Sequence, residues 1–179
     1  MNISVKNVGW LKEEFEALGV PWERRGARTD EYVEALHAIW SGTDIEFHGE
    51  FVDFEPLTCT PRPKQERIPI LVGGDTPAAI RRAAKLADGY YPGTGDFGEL
   101  QKLITSVGEA AEKNGRDPSE IEINAHFAVL GEEGRAEGIE AMREAGVGRV
   151  MVPAFFFGGP GGLESLEEFG ESVVKLAAE

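Results

Sequence analysis

Apolar positions along the chain recur in two rhythms, helical stripes and short strands, and the two alternate from one end to the other. Residues 3–8 predict a short strand, interrupted by Lys6. Trp10 to Leu18 predicts a helix with Leu11, Phe15 and Leu18 on one face, ended by Gly19-Val20-Pro21. Thr29 reads as the N-cap of a second helix, with Asp30 and Glu31 favourable in its first turn. Val33, Leu36, His37 and Trp40 share its packed face, and Ser41-Gly42 stops it. Ile45 to Phe54 alternates around His48-Gly49-Glu50, the pattern of a small hairpin.

The second half repeats the strand-then-helix order more clearly. Ile70-Leu71-Val72 is a continuous apolar run, as in a strand covered on both faces. Gly73-Gly74-Asp75 follows, then Thr76 as N-cap and Pro77 at the first helical position. Ile80, Ala83, Ala84 and Ala87 form that helix's packed stripe, and Tyr90-Tyr91 is a brief strand before Pro92-Gly93. Leu100, Leu103, Ile104, Val107 and Ala111 mark the next helix, stopped at Asn114-Gly115. Ile121, Ile123, Ala125, Phe127 and Val129 alternate as a strand. A helix through Ile139 and Met142 leads to a strand at Val150-Met151-Val152. Gly158 to Gly162 reads as a hinge before a last helix through Leu166, Phe169 and Val173.

About five strands, each followed by helical material, predict an α/β fold with a parallel sheet. Either a (β/α)₈ barrel or an open doubly wound sheet fits this rhythm, which does not separate them. A complete barrel usually takes about 250 residues, and this chain has 179.

Charge and composition narrow the functional classes. The net charge of −14 works against binding nucleic acid or an anionic membrane surface. A single cysteine, Cys59, allows no internal disulfide, and His37, His48 and His126 lack metal-ligand spacing. No signal peptide or membrane span is read in the sequence, so a cytoplasmic protein is expected.

The turn Gly73-Gly74-Asp75-Thr76 is the strongest chemical candidate. Glycines let a phosphate approach the backbone, and a helix start offers free N–H groups and a positive dipole end. Asp75 is awkward beside a dianion, so its side chain is expected to point away. An ordinary capped strand-to-helix turn explains the same residues. Gly9-Trp10 and Tyr91-Pro92-Gly93 sit where strands end, and their aromatic rings suit either a cofactor wall or core. His126 lies on the strand face opposite Ile123 and Ala125, where it either touches substrate or is a satisfied core histidine. Arg24, Arg25 and Arg28 read as a solvated cluster, with Arg25 free to pair with acidic groups. Gly-x-Ser-x-Gly and Walker-type sequences do not occur.

The chain resembles the luciferase-like monooxygenase family, especially its deazaflavin-dependent branch, from about Val8 to near the C-terminus. The resemblance rests on Val8-Gly9-Trp10-Leu11-Lys12-Glu13-Glu14-Phe15, on Glu23-Arg24-Arg25-Gly26-Ala27-Arg28-Thr29-Asp30 and on Phe47-His48-Gly49-Glu50-Phe51. Pro69-Ile70-Leu71-Val72-Gly73-Gly74, Ala87-Asp88-Gly89-Tyr90-Tyr91-Pro92 and Gly115-Arg116-Asp117-Pro118 follow in family order. It implies a single domain over residues 1–179, part of a (β/α)₈ TIM-type barrel whose first three βα units are missing. It also implies FMN or a deazaflavin coenzyme, leaning to deazaflavin, and hydride transfer to or from a small organic substrate. Gly73, Gly74, Asp75 and Thr76 would lie at the cofactor phosphate, with Gly9, Trp10 and Tyr91 beside the cofactor. No catalytic residue is assigned by the resemblance.

Two departures from the family pattern stand out. The units before Gly9-Trp10 are absent, and Ser4-Val5-Lys6-Asn7 replaces the usual glycine-rich strand. A sheet lacking strands leaves open edges, so a homo-oligomer or a second chain covering the open side is expected. The alternative to an enzyme is a non-catalytic barrel fragment serving as an interaction module, with a blocked Gly73-Gly74 turn.

Overall fold

The computed structural model describes residues 4–65, 67–126 and 135–175. Ile70, Leu71 and Val72 are apolar on both strand faces, so the segment is stable only inside a sheet. It forms β4 (Ile70–Gly73), where every residue is buried. Around it lie β1 (Ser4–Lys6), β5 (Gly89–Tyr91), β6 (Glu122–His126) and β7 (Val147–Met151), in the order β1-β4-β5-β6-β7. All four pairings are parallel. Helices α3 (Pro77–Leu86), α4 (Phe97–Lys113) and α5 (Arg135–Glu144) make the crossovers between consecutive neighbours. Between β1 and β4 the chain runs through α1 (Lys12–Ala17), α2 (Arg25–Ser41) and the antiparallel pair β2 (Ile45–His48) and β3 (Asp53–Leu57). The C-terminal α6 (Gly162–Phe169) continues into a wider helical turn over Gly170–Val174.

Strand register decides what each sheet face carries. Val72, Tyr90 and Ile123 fall in one row. Together with Ala83, Ala84 and Ala87 below α3 and Leu103, Val107 and Ala111 on α4, they form the core. Burial of these side chains is the main stabilising term, about 1.5–3 kcal/mol for each larger one. The next row, Leu71, Gly89 and Glu122, faces the other way. A methyl group at Gly89 would stand 2.8 Å from the Glu122 carbonyl, so strands β5 and β6 approach over a bare backbone.

Caps and polar ties fix the helices. Thr76 Oγ1 accepts the Ala79 N–H at 3.2 Å, and Asp96 accepts that of Glu99 at 2.7 Å. Arg116 donates to the carbonyls of Ala84 and Ala87 at 3.1 and 3.0 Å, closing the C-terminal end of α3. Asp88 accepts the Ile70 N–H at 2.9 Å and pairs with Arg67 at 3.0 Å. His37 Nε2 lies 3.0 Å from the same guanidinium.

The parallel α/β sheet and the hairpin are as expected, and several boundaries are not. Thr29 does not cap α2; it lies inside the helix and donates to the Arg25 carbonyl at 2.9 Å. The helix starts a turn earlier because Arg24, at φ 57, turns the chain while its side chain pairs with Glu50. Trp10 stands before α1, not in it, and no α1 residue is fully buried: Phe15 is partly covered by Trp22, and Leu18 just past the helix is 77% exposed. Strand β7 begins earlier than Val150 because Gly146, at φ 82, ends the preceding turn. Phe127 and Val129 lie outside the described residues. Gly159 and Gly161 take positive φ, so the glycine segment forms a defined turn into α6.

Two outcomes follow for stability. Leu103→Ala, in the α4 stripe, should cost about 2–5 kcal/mol in chemical denaturation. His37 is held below the ordinary histidine value, first by burial and then by Arg67, with Asp88 opposing. Such a base protonates more readily when unfolded, so its contribution is lost as pH falls through the unfolded value. Between about pH 8 and pH 5, denaturation midpoints should therefore fall less steeply in His37→Gln than in the parent.

Candidate functional site

Parallel sheets gather loop backbone at the carboxyl ends of their strands. Here the ends of β1, β4, β5 and β6 bring Asn7-Val8-Gly9-Trp10, Gly73-Gly74, Tyr91 with Gly93, and His126 around one cavity of about 840 Å³. The remaining wall comes from Trp22, from the start of α2 and from the first turn of α3.

Each part of the wall is pinned by a specific contact. Gly74 takes φ +113, and a Cβ there would meet Ala79 Cβ at 3.3 Å. Its N–H donates to the Tyr91 carbonyl at 3.2 Å, and its carbonyl accepts the buried Tyr90 hydroxyl at 3.0 Å. Burial, then the charge of Asp75, holds that phenol well above its ordinary value, so it stays a donor. Gly73 lies against the Asn7 carboxamide where a side chain would sit. Gly9, at φ +85, has no room for a Cβ, which would stand 2.6 Å from the Phe15 ring. Arg25 stacks over Trp22 at 3.7 Å, and its Nε donates to the Gly9 carbonyl at 3.4 Å. The near-buried Arg82 pairs with Asp30 and donates to the Gly26 carbonyl at 3.1 Å, which fixes α2 against α3.

Of the residues singled out from sequence, Gly9, Trp10, Gly73, Gly74, Thr76 and Tyr91 meet on this wall. Asp75 does not. Its carboxylate turns away and accepts the Gly93 N–H at 2.6 Å, tying the β4 loop to the β5 loop. Trp10 is 85% exposed, so its indole is not core. Of the arginine cluster, Arg24 and Arg25 line the cavity, as does Arg82 of α3, whereas Arg28 donates to the Pro21 carbonyl at 2.7 Å. Arg25 meets a carbonyl and an indole rather than an acid. His126 is half-buried, with both ring nitrogens 3.0 Å from the Tyr91 hydroxyl. His48 stays outside on the hairpin, where hydrogen bonding to Asp53 at 2.7 Å raises its pKa. Asn7, Trp22 and Arg82 were not marked by the sequence. Arg82 carried a readable signal, since it falls within the alanine stripe of α3.

A phosphate-bearing ligand fits these residues. Gly73 and Gly74 bring the end of β4 to the wall without a side chain, the positive end of α3 adjoins them, and Arg25 stands on the same wall. The one carboxylate of the turn is committed elsewhere. Among the described residues no cluster suited to a metal ion occurs, and no helix is long and apolar enough to cross a membrane.

The family model described as luciferase-like monooxygenase matches residues 7–171. An uncharacterized protein of Mycobacterium tuberculosis is 41% identical over 143 residues, 78% of this chain and 46% of that one. An FMNH(2)-dependent dimethylsulfone monooxygenase of Pseudomonas putida is 31% identical, over 74% of this chain and 38% of that enzyme. An F420-dependent glucose-6-phosphate dehydrogenase of Nakamurella multipartita is 30% identical, over 70% and 38%. The chain thus spans under half the length of these relatives. In fold it is similar to the coenzyme F420 dependent tetrahydromethanopterin reductase of Methanopyrus kandleri, with TM-score 0.71, 16% identity, and 97% and 73% of the two chains covered.

The pinned turn carries a testable cost. Gly74→Ala should lose about 1–2 kcal/mol through the positive φ and crowding at Ala79, read as a lowered denaturation midpoint. Gly95→Ala, in open space, is the control and should change little.

Proposed function

Since the chain belongs to the luciferase-like monooxygenase family, we propose that its cavity holds FMN or a deazaflavin coenzyme for hydride transfer to or from a small organic substrate. The observation that carries this reading is the convergence of Gly9, Trp10, Gly73, Gly74, Thr76 and Tyr91 on one cavity at the strand ends. In this reading the phosphate rests on Gly73, Gly74 and Thr76 at the start of α3, and the ring system lies beside Gly9, Trp10 and Tyr91. Asp75 serves by bracing Gly93 rather than by touching the ligand. The bound cofactor supplies the two-electron chemistry, and the protein positions and shields it.

The residues themselves do three things. The α3 terminus offers its donors beside Gly74, which puts no side chain in the way and whose own N–H is bonded to the Tyr91 carbonyl. Arg25 adds a cation to the wall of a chain whose net charge is −14, while Arg24 and Arg82 are paired with Glu50 and Asp30. The Trp10 and Trp22 indoles supply flat apolar surface. The coenzyme is taken to be deazaflavin, following the family branch that the sequence resembles and the F420-dependent relative. The purely structural reading, with the glycine turn blocked, is disfavoured because Gly73 and Gly74 line the cavity. Strands β1 and β7 each have one sheet neighbour among the described residues. A second copy or another chain is proposed to cover that open side.

Fluorescence titration of the full chain with FMN and with the deazaflavin coenzyme tests the reading. Saturable binding is expected, weakened at least about tenfold, or about 1.4 kcal/mol, in Trp10→Ala and in Thr76→Ala. Absence of saturation with either cofactor up to about 1 mM overturns it.

A further inference from the structure

Proton exchange within this cavity has few possible carriers. Among the described residues lining it there is no carboxylate, no lysine and no cysteine. The guanidinium groups of Arg24, Arg25 and Arg82 do not deprotonate in proteins. The Thr76 hydroxyl and the Asn7 amide exchange no proton usefully near neutrality. Among the described residues Tyr91 and His126 remain, and they touch.

The Tyr91 hydroxyl stands 3.0 Å from each nitrogen of the His126 ring, so the contact serves whichever tautomer is present. The rings are 4.8 Å apart and tilted by 45°. They sit on adjacent strands, Tyr91 ending β5 and His126 ending β6. Gly73 is the register partner of Tyr91 on β4, which puts the pair one strand from the glycine turn. Charged groups around the cavity are Arg25, the ion pairs Arg24–Glu50 and Arg82–Asp30, and Asp75 behind Gly93. On the same face of β6 as His126, Glu122 is paired with Arg149 of β7 at 3.0 Å. An oxygen that gains negative charge in the cavity therefore meets the Arg25 guanidinium, while Arg24 and Arg82 are already paired with Glu50 and Asp30.

We infer that Tyr91 and His126 are the proton-exchanging pair of this cavity, and that its substrate is a carbonyl compound or the corresponding alcohol. The inference rests on the hydride-transfer reading given above. In the reductive direction the carbonyl carbon gains hydride from the reduced cofactor, and the C=O π pair moves to oxygen. That oxygen takes the Tyr91 proton as the O–H bond breaks. A ring N–H of protonated His126 restores the tyrosine, leaving a neutral imidazole that regains its proton from solvent. One carbonyl, one hydride and one proton become one alcohol, and the cofactor is oxidised by two electrons. Alcohol oxidation is the same sequence reversed. Burial holds the Tyr91 phenol above its ordinary value, so it rests protonated.

The test uses the full chain with FMN or deazaflavin bound and needs no turnover for its first readout. Isobutyramide carries a carbonyl oxygen but is a poor hydride acceptor, and calorimetry reads its binding to the cofactor complex. Binding is expected in the parent and should fall at least tenfold in Tyr91→Phe. His126→Gln keeps an acceptor for the tyrosine, so the amide should still bind. The second readout is reduction of a panel of short ketones and aldehydes by the chain loaded with the reduced cofactor, as a function of pH. The parent should reduce at least one, with a one-proton dependence that disappears in His126→Gln. Equal amide affinity in the parent and Tyr91→Phe overturns the inference, as does no amide binding to the cofactor complex. Carbonyl reduction untouched by both substitutions also overturns it. A cofactor complex that reduces no carbonyl overturns it while leaving the cofactor reading intact. Failure to bind cofactor sinks the cofactor reading itself.

Discussion

Gly74 is fastened to the neighbouring strand through both of its backbone polar groups, and the geometry of the cavity depends on that lock. Its N–H reaches the Tyr91 carbonyl, and its carbonyl takes the hydroxyl of Tyr90. Tyr90 is fully buried in the core, so packing beneath the sheet is transmitted directly to the turn above it. A residue with a side chain would strain at φ +113 and press on Ala79. Core, strand end and helix start are thus one mechanical unit, built from consecutive stretches of sequence. Asp75 extends the unit sideways through Gly93.

Much of this was legible in the sequence because local chemistry and tertiary context agree there. Ile70-Leu71-Val72 is apolar on both faces and becomes a buried inner strand, while Thr76-Pro77 announces a capped helix and makes one. The alanine stripe of α3 predicts its buried face correctly. Where the reading failed, a distant partner overrode a local preference. Thr29 is a good cap by type, yet the Arg24–Glu50 pair and the Arg25–Trp22 stack start the helix earlier. Leu11, Phe15 and Leu18 have helical spacing, yet in the described chain the first two are only partly covered and Leu18 is exposed.

The candidate site divides in the same way. Glycines with positive φ and strand-end aromatics could be marked from type and position alone. Arg82 was signalled only by its place among the alanines of α3, and its role comes from Asp30 and the Gly26 carbonyl, more than fifty positions away. The same holds for the meeting of Tyr91 with His126, separated by 35 positions and joined by strand order. Sequence names the chemistry of such groups, and only the parallel register reveals which of them become neighbours.

The arginines of the cavity stand inside a molecule that is strongly acidic overall. These two fields have different ranges. The attraction acts at contact, within a few ångströms, whereas the repulsion acts over distances that dissolved ions screen, about 8 Å at physiological ionic strength. Raising ionic strength moderately therefore removes the outer barrier before it weakens the inner grip. An anion entering this cavity would arrive faster in salt, the reverse of the usual behaviour for a basic binding surface.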